Sequence, residues 1–287
     1  MRSHSEYSRT AEGVALLRAL EQIRPAGCRI IDDPYAAAFL QNPCLRLIAG
    51  SPTLARLMAL FLNCWSPGAQ EMLTLRARLV DDLAIEMSAE LEQIVMLGAG
   101  FDTMALRVKG ALPKVTTFEV DHPATQRFKQ KAFAYVERPA SVRFVAVDFE
   151  CEDFVVKLCE TGFAPVRRSL IVWLGVKCYL TPHAVAQAMN QIAKLGGAGT
   201  RLIFDYILAE VIDGTTKNLD ALKKARRMAR MGEPWLFGLT PQQVPDYLAS
   251  FGFKLMKDYE AAELRSRYCC QRPAPMDYNR IVVCESV

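Results

Sequence analysis

No run of apolar residues in this 287-residue chain is long enough to cross a bilayer. The greasiest stretch, "LARLMALFL" at 54–62, carries Arg56 and falls well short of the roughly 20 residues a spanning helix needs. The opening "MRSHSEYSRTAEG" has no apolar segment of the kind that directs secretion, so a cytoplasmic chain without a membrane partner is expected. Metal-ligand patterns are missing too. The nine cysteines contain no C-x-x-C: Cys151 and Cys159 are eight apart, Cys269 and Cys270 are adjacent, and His4, His122 and His183 cluster with none of them. No metal is expected, and most of the cysteines should be buried small apolar residues in a reducing compartment. Charge of one sign is not in large excess: 35 Lys and Arg against 31 Asp and Glu give +4, too little to suggest nucleic acid as a partner. With 51% hydrophobic and 23% charged residues, neither a disordered chain nor a disulfide-held miniprotein is a sensible class.

What is present is an alternation. Residues before 90 read as helices, with Asp33-Pro34 and Ser51-Pro52 each placing a capping oxygen ahead of a proline; Thr181-Pro182 and Thr240-Pro241 repeat the device. Strands are expected at 93–99, 115–121, 142–148, 169–175 and 200–207. These are nearly continuous apolar runs, as in a parallel sheet covered on both faces, and helical segments such as "PATQRFKQKAFAYV" and "PHAVAQAMNQIAKL" separate them. That pattern predicts an α/β fold with a doubly wound, mostly parallel sheet. After Ile207 come a charged helical stretch to about residue 231, a segment "MGEPWLFGLTP", a helix to Ser250, and the runs "FKLMKDY" and "RIVVCESV", which are suited to pair at the sheet edge.

The first strand breaks into Gly98-Ala99-Gly100, at the position where an open parallel sheet binds ligands. A dinucleotide fingerprint needs a glycine where Thr103 stands, and Asp102 is poorly suited to lie against a pyrophosphate. The second strand ends at Asp121, about 20 residues beyond the turn, where a carboxylate accepts from both ribose hydroxyls. The third ends in "VDFE", putting Asp148 within reach of an adenine amino group and Phe149 beside its ring. A glycine turn with acids after the next two strands suits a cofactor with a nucleoside but no phosphate, such as S-adenosylmethionine. A nicotinamide cofactor is the weaker alternative.

These residues resemble the leucine carboxyl methyltransferase-like family of S-adenosylmethionine-dependent methyltransferases, including its polyketide O-methyltransferase-like bacterial branch. The resemblance runs through "SRTAEGVALLRALE", "DDPYAAAFL", "LRARLVDDL", "VMLGAGFDTMALRV", "FEVDHPATQRFK", "VAVDFE", "VWLGVKCYLTPHAV", "GTRLIFDY", "GEPWLFGLTP" and "LRSRYCCQR". It implies a Rossmann-like methyltransferase sheet in a single domain over 1–287: an N-terminal helical lid at 1–90, a cofactor-binding core at 91–207, a helical cap at 208–250 and final strands at 251–287. Carried over by position, Gly98, Ala99 and Gly100 line the methionine portion of the cofactor, Asp121 holds the ribose, and Asp148 with Phe149 brackets the adenine. Of Arg76 and Arg78, Arg78 is preferred as the partner of the cofactor carboxylate. The chain departs from the family in having Met104 in place of an arginine and Leu174 in place of a glutamate that faces the methionine part.

The implied activity is O-methylation of a carboxylate or hydroxyl on a small molecule. The alternative is a catalytically silent cofactor-binding or regulatory protein on the same fold. A carboxylate is already ionised at neutral pH, whereas a hydroxyl needs a base within hydrogen-bond reach. His122 and His183 are the candidate bases, with Tyr179 and Tyr206 as hydrogen-bonding groups and Lys177 as an attractor for an anionic substrate; none is singled out as catalytic. In "KKARRMAR", Lys223, Arg226, Arg227 and Arg230 share one helix face, either solvated or steering an acidic substrate.

Overall fold

The computed structural model describes residues 7–149, 152–268 and 271–287, so His4, Glu150, Cys151, Cys269 and Cys270 lie outside the described residues. Its sheet contains β1 (Gln93–Leu97), β2 (Thr116–Asp121), β3 (Val142–Ala146), β4 (Ser169–Trp173), β5 (Arg201–Leu208), β6 (Gly238–Leu239), β7 (Phe253–Tyr259) and β8 (Asn279–Ser286). The order is β3-β2-β1-β4-β5-β8-β7, with the short β6 also paired to β5. Strands β1 to β6 pair in parallel, and β5-β8 and β8-β7 are antiparallel. The two last strands do pair at the edge, but α12 (Ala261–Tyr268) intervenes and it is β8, not β7, that lies against β5.

Alternate residues of each strand enter different cores, as a period of two dictates. Val95, Leu97, Phe118, Trp173 and Phe204 pack with α7 (Phe154–Glu160), α8 (Pro182–Ala193) and α11 (Val244–Ala249). Ile94, Met96, Val172 and Ile203 pack on the other face against α4 (Ala69–Glu86) and α12. Burial on both faces explains why the strands read as unbroken apolar runs.

A third cluster joins α1 (Arg9–Glu21), the turn at 36–39 and α3 (Pro52–Trp65) to Phe101 and Leu106, which follow the glycine turn. Ser51 and Thr181 cap α3 and α8, accepting from the N–H of Leu54 and Ala184, and Asn42 caps α2 (Pro43–Gly50) in the same way. Two expected caps are corrected. Asp33 is fully buried and bonds to charged side chains, and Thr240 precedes a turn, so that Gln243 becomes the first flanking residue of α11. The cysteine expectation is corrected as well: Cys28, Cys44, Cys64 and Cys159 are exposed, Cys178 is half-buried, and of the described cysteines Cys284 alone is buried. Four lie on helices, loops or turns that face outward, where a small side chain has nothing to pack against.

Candidate functional site

The turn after β1 is built from glycines for steric reasons. Gly98 has φ +71°, and a Cβ there would lie 2.4 Å from Val176 Cγ2. Gly100 has φ +50° and sits under α1, where an added Cβ would be 3.0 Å from that of Ala11. The backbone donors of the turn are already engaged. Gly98 and Ala99 both donate to the Val120 carbonyl, at 2.9 and 3.1 Å, and Gly100 donates to Asp121 Oδ2 at 2.6 Å. A pyrophosphate cradle needs those N–H groups to point at the ligand, which argues against a dinucleotide.

Asp121 is the hinge of this arrangement. Its Oδ1 accepts from the His122 N–H at 2.7 Å while Oδ2 holds Gly100, so the tip of β2 is tied to the tip of β1. Burial raises its pKa, and the two backbone N–H bonds oppose that rise. Each carboxylate oxygen keeps a second lone pair for a ligand. Because β3, β2, β1 and β4 are neighbours in that order, Asp148 and Phe149, Asp121, the glycines and Leu174 follow one another along the carboxyl edge. Asp148 is half-buried and its N–H donates to Glu152; Phe149 is exposed and packs edge-on against Phe154, 5.8 Å between centroids. Leu174 packs against the cluster that contains Met96 and Val172.

The two arginines of α4 reach different places. Arg78 pairs with Asp82 at 2.8 Å, donates to the Ile30 carbonyl and lies over the Tyr268 ring, on the outer side of α4. Arg76 is the one that reaches the strand tips: its Nη1 is 2.6 Å from Asp205 Oδ2 and its guanidinium lies against Gly175, just after Leu174. Two residues on a helix point about 200° apart, so only one of the pair can face the sheet edge. Asp205 was not singled out from sequence. It is buried on β5 and its second oxygen accepts from the Gly175 N–H at 2.8 Å, fixing the loop after β4.

The Leucine carboxyl methyltransferase family profile matches residues 11–193 of this chain. The chain belongs to this family of methyltransferases. A Mycolicibacterium smegmatis protein with the provisional name S-adenosyl-L-methionine-dependent methyltransferase is 33% identical over 212 residues, covering 70% of this chain and 68% of its own length. A similarly named Frankia alni protein is 31% identical over 275 residues, covering 93% of this chain and 89% of its own. A solved Thermobifida fusca structure, provisionally described as a methyltransferase, superposes with a TM-score of 0.62 over 93% of this chain and 97% of its own; at 15% identity this speaks to the fold.

Around the tips of this methyltransferase the expected polar groups are placed as follows. His122 begins α6 (Pro123–Ala132) and its Nδ1 accepts from the Ala124 N–H at 3.2 Å, while His183 is exposed in the first turn of α8. Tyr206 is buried and its hydroxyl donates to Asp258 Oδ2 at 2.8 Å, across β8 on β7, so it does not serve the strand tips. Tyr179 is half-buried, and burial raises its pKa.

Lys177 overturns its expectation as an exposed attractor for anions: it is fully buried, its Nζ sits 3.1 Å from the centroid of the Phe204 ring, and Trp173 and Phe237 stand at 5.4 and 5.6 Å. Burial lowers its pKa to about 7, only partly offset by Asp205. Beyond β5 and β6 an open cleft of about 730 Å³ is lined by Pro182, Ile212, Phe237, Leu239 and Tyr247, with Asp213 and Asp246 as its acidic members.

Sequence gave no sign of the charged cluster under the turn. Arg18 donates to Asp33 at 2.9 Å and to the Phe101 carbonyl at 2.7 Å; Arg107 grips Asp81 through two nitrogens at 2.7 and 2.9 Å and reaches Asp102 at 3.2 Å. Thr103, at the position of the missing glycine, donates its hydroxyl to Asp33 at 2.6 Å and accepts from Arg107 at 2.8 Å. Three carboxylates share two guanidinium groups. Burial pushes Asp81 up to about 6 against the pull of Arg107, whereas for Asp102 the desolvation is outweighed by Arg107 and Arg18, which hold it well below the usual carboxylate range. Asp102 also accepts from the Met104 N–H at 2.7 Å, and Met104 itself is buried in the core against α4.

Proposed function

We propose that this methyltransferase moves the methyl group of S-adenosylmethionine onto an oxygen of a small molecule, with a carboxylate favoured over a hydroxyl. The observation that carries the cofactor assignment is the Asp121 bridge: a carboxylate at the β2 tip that braces Gly100 and still has an acceptor position on each oxygen. Asp121 then takes the ribose hydroxyls, Gly98, Ala99 and Gly100 line the methionine part beside Leu174, and Asp148 with Phe149 takes the adenine. Arg76, already anchored by Asp205 next to Gly175, is the partner for the cofactor carboxylate in place of Arg78.

When bound, S-adenosylmethionine supplies a sulfonium methyl group as the electrophile. The protein's work is alignment and exclusion of water. Preference for a carboxylate rests on the two candidate bases, since His122 uses Nδ1 as the cap of α6 and His183 is exposed in the first turn of α8; of the other polar groups, Tyr206 is held by Asp258 and Lys177 is walled in by aromatic rings. A carboxylate acceptor needs no proton removed. The silent-protein alternative draws on Leu174, which offers no acceptor for the cofactor ammonium, a deficit of about 1.5 to 3 kcal/mol for a charge-assisted hydrogen bond.

Isothermal titration with S-adenosylmethionine tests the assignment. Wild-type protein should bind, and Asp121→Ala should weaken binding by at least about tenfold, the equivalent of one hydrogen bond to a charged group. Unchanged affinity in that variant refutes the ribose role. A labelled-methyl screen over small carboxylates and phenols separates enzyme from silent protein: turnover on carboxylates supports the proposal, and binding without any turnover favours the alternative.

A further inference from the structure

The outer side of α2 and α3 is apolar and, among the described residues, uncovered. Leu47, Leu54, Leu57, Leu60, Phe61 and Trp65 are between 39 and 68% exposed, although Ala55 on the opposite side of α3 is fully buried in the core. A helix that is apolar all round normally belongs in an interior. The segment from Pro43 to Trp65 contains no acidic residue and carries Arg46 and Arg56, both exposed.

At the end of α3 this face meets α10 (Leu219–Arg230), the helix of the "KKARRMAR" motif. Arg227 lies 4.2 Å over the Trp65 ring, and Lys224 donates to Ser66 Oγ at 2.8 Å. Lys223, Arg226 and Arg230 remain exposed on α10, with Asp220, the partner of Lys223, as its single acid. Together α2, α3 and α10 hold a formal charge of +6, while the whole chain holds +4, so the positive charge is segregated onto this side.

We propose that this face docks on an anionic lipid surface, with the α3 leucines, Phe61 and Trp65 entering the headgroup boundary and the α10 cations contacting the lipid phosphates. Apolar side chains flanked by Lys and Arg, with a tryptophan between them, match the chemistry of an interfacial helix. The helices lie on the bilayer and do not cross it: α3 has 14 residues, about 21 Å of helix against about 30 Å of hydrocarbon, and α2 bends away from it by 109°. A second copy of the chain is a poor occupant, because it would set two faces of charge +6 against each other.

The test is sedimentation of the full-length protein with phosphatidylcholine vesicles made with and without phosphatidylglycerol. Wild-type protein should pellet with the anionic vesicles, bind at least about tenfold less to the neutral ones, and be released as salt rises. Leu57→Glu with Phe61→Glu, and separately Arg226→Glu with Arg230→Glu, change exposed side chains and should each reduce binding by about tenfold or more while circular dichroism stays native. Wild-type protein left in the supernatant with both vesicle types overturns the proposal. So does a charge-reversed variant that binds as well as wild type, or light scattering that finds a dimer which the Leu57→Glu, Phe61→Glu protein cannot form. None of these readouts depends on methyl transfer.

Discussion

Lys177 shows how much a single side chain's surroundings matter. In the sequence it is a loop lysine two residues beyond Gly175; in the fold its ammonium faces Phe204 with no hydrogen-bond partner among the described residues. Because the folded pKa is near 7 and the ordinary value is 10.5, both states are protonated below about pH 7 and the burial penalty is then fully felt. Between about pH 7 and 10 the unfolded chain holds a proton that the folded one does not, so stability rises with pH, by at most about 1.4 kcal/mol per pH unit. Urea unfolding at pH 7 and pH 9 should show wild-type protein gaining about 2 kcal/mol relative to Lys177→Met. Equal pH dependence in the two proteins would show that the amine keeps its proton. The same lesson applies to Arg76 and Arg78. The family resemblance implied that one of them partners the cofactor, but which one reaches the strand tips depended on which face of α4 packs against Met96 and Val172.

Among elements, the short α5 (Met104–Arg107) does more than its length suggests. Arg107 on it joins Asp81 of α4 to Asp102 of the turn, and Arg18 of α1 joins Asp33 to the Phe101 carbonyl. The helices before the sheet are thereby fastened to the glycine turn by buried charge. Removing one partner of such a pair strands the others without compensation, so Arg107→Leu should cost about 3 to 5 kcal/mol in urea unfolding. Adding Asp81→Asn to that variant should recover part of the loss, and a cost below about 1 kcal/mol for the single change would show the cluster to be solvated. Strands and long helices were legible in the sequence because burial on both faces leaves unbroken apolar runs and burial on one face of a helix imposes a period. This cluster was not, since its members come from four separate segments and ion pairing leaves no periodic trace.

Taken as a whole, the molecule brings its N-terminal helices over the carboxyl edge of the sheet. Ala11 of α1 lies above Gly100, Tyr7 packs against Phe101 and Phe128 at 5.8 and 4.9 Å, and Arg272 from beyond α12 pairs with Glu21 of α1 and Glu71 of α4 at 2.8 and 3.0 Å. A cofactor lying along that edge sits beside α1, whose Ala11 is over Gly100. Saturating S-adenosylmethionine should then slow hydrogen exchange at residues 9–21 as well as at the turn, because ligand that binds the folded state stabilises it by mass action. Slowing confined to the turn would show that α1 does not respond to the ligand.

By itself the sequence determined the alternation of strands and helices, the glycine turn, the acid at the end of β2 and the family, because each is written in local spacing or in ordered blocks. Tertiary structure alone decided that Arg76 and not Arg78 reaches the tips, that Lys177 is caged, that Thr103 and Arg107 belong to a buried cluster, and that the apolar outer side of α3 stays uncovered beside α10. Those outcomes depend on which helix face meets which sheet face, and packing between distant segments settles that.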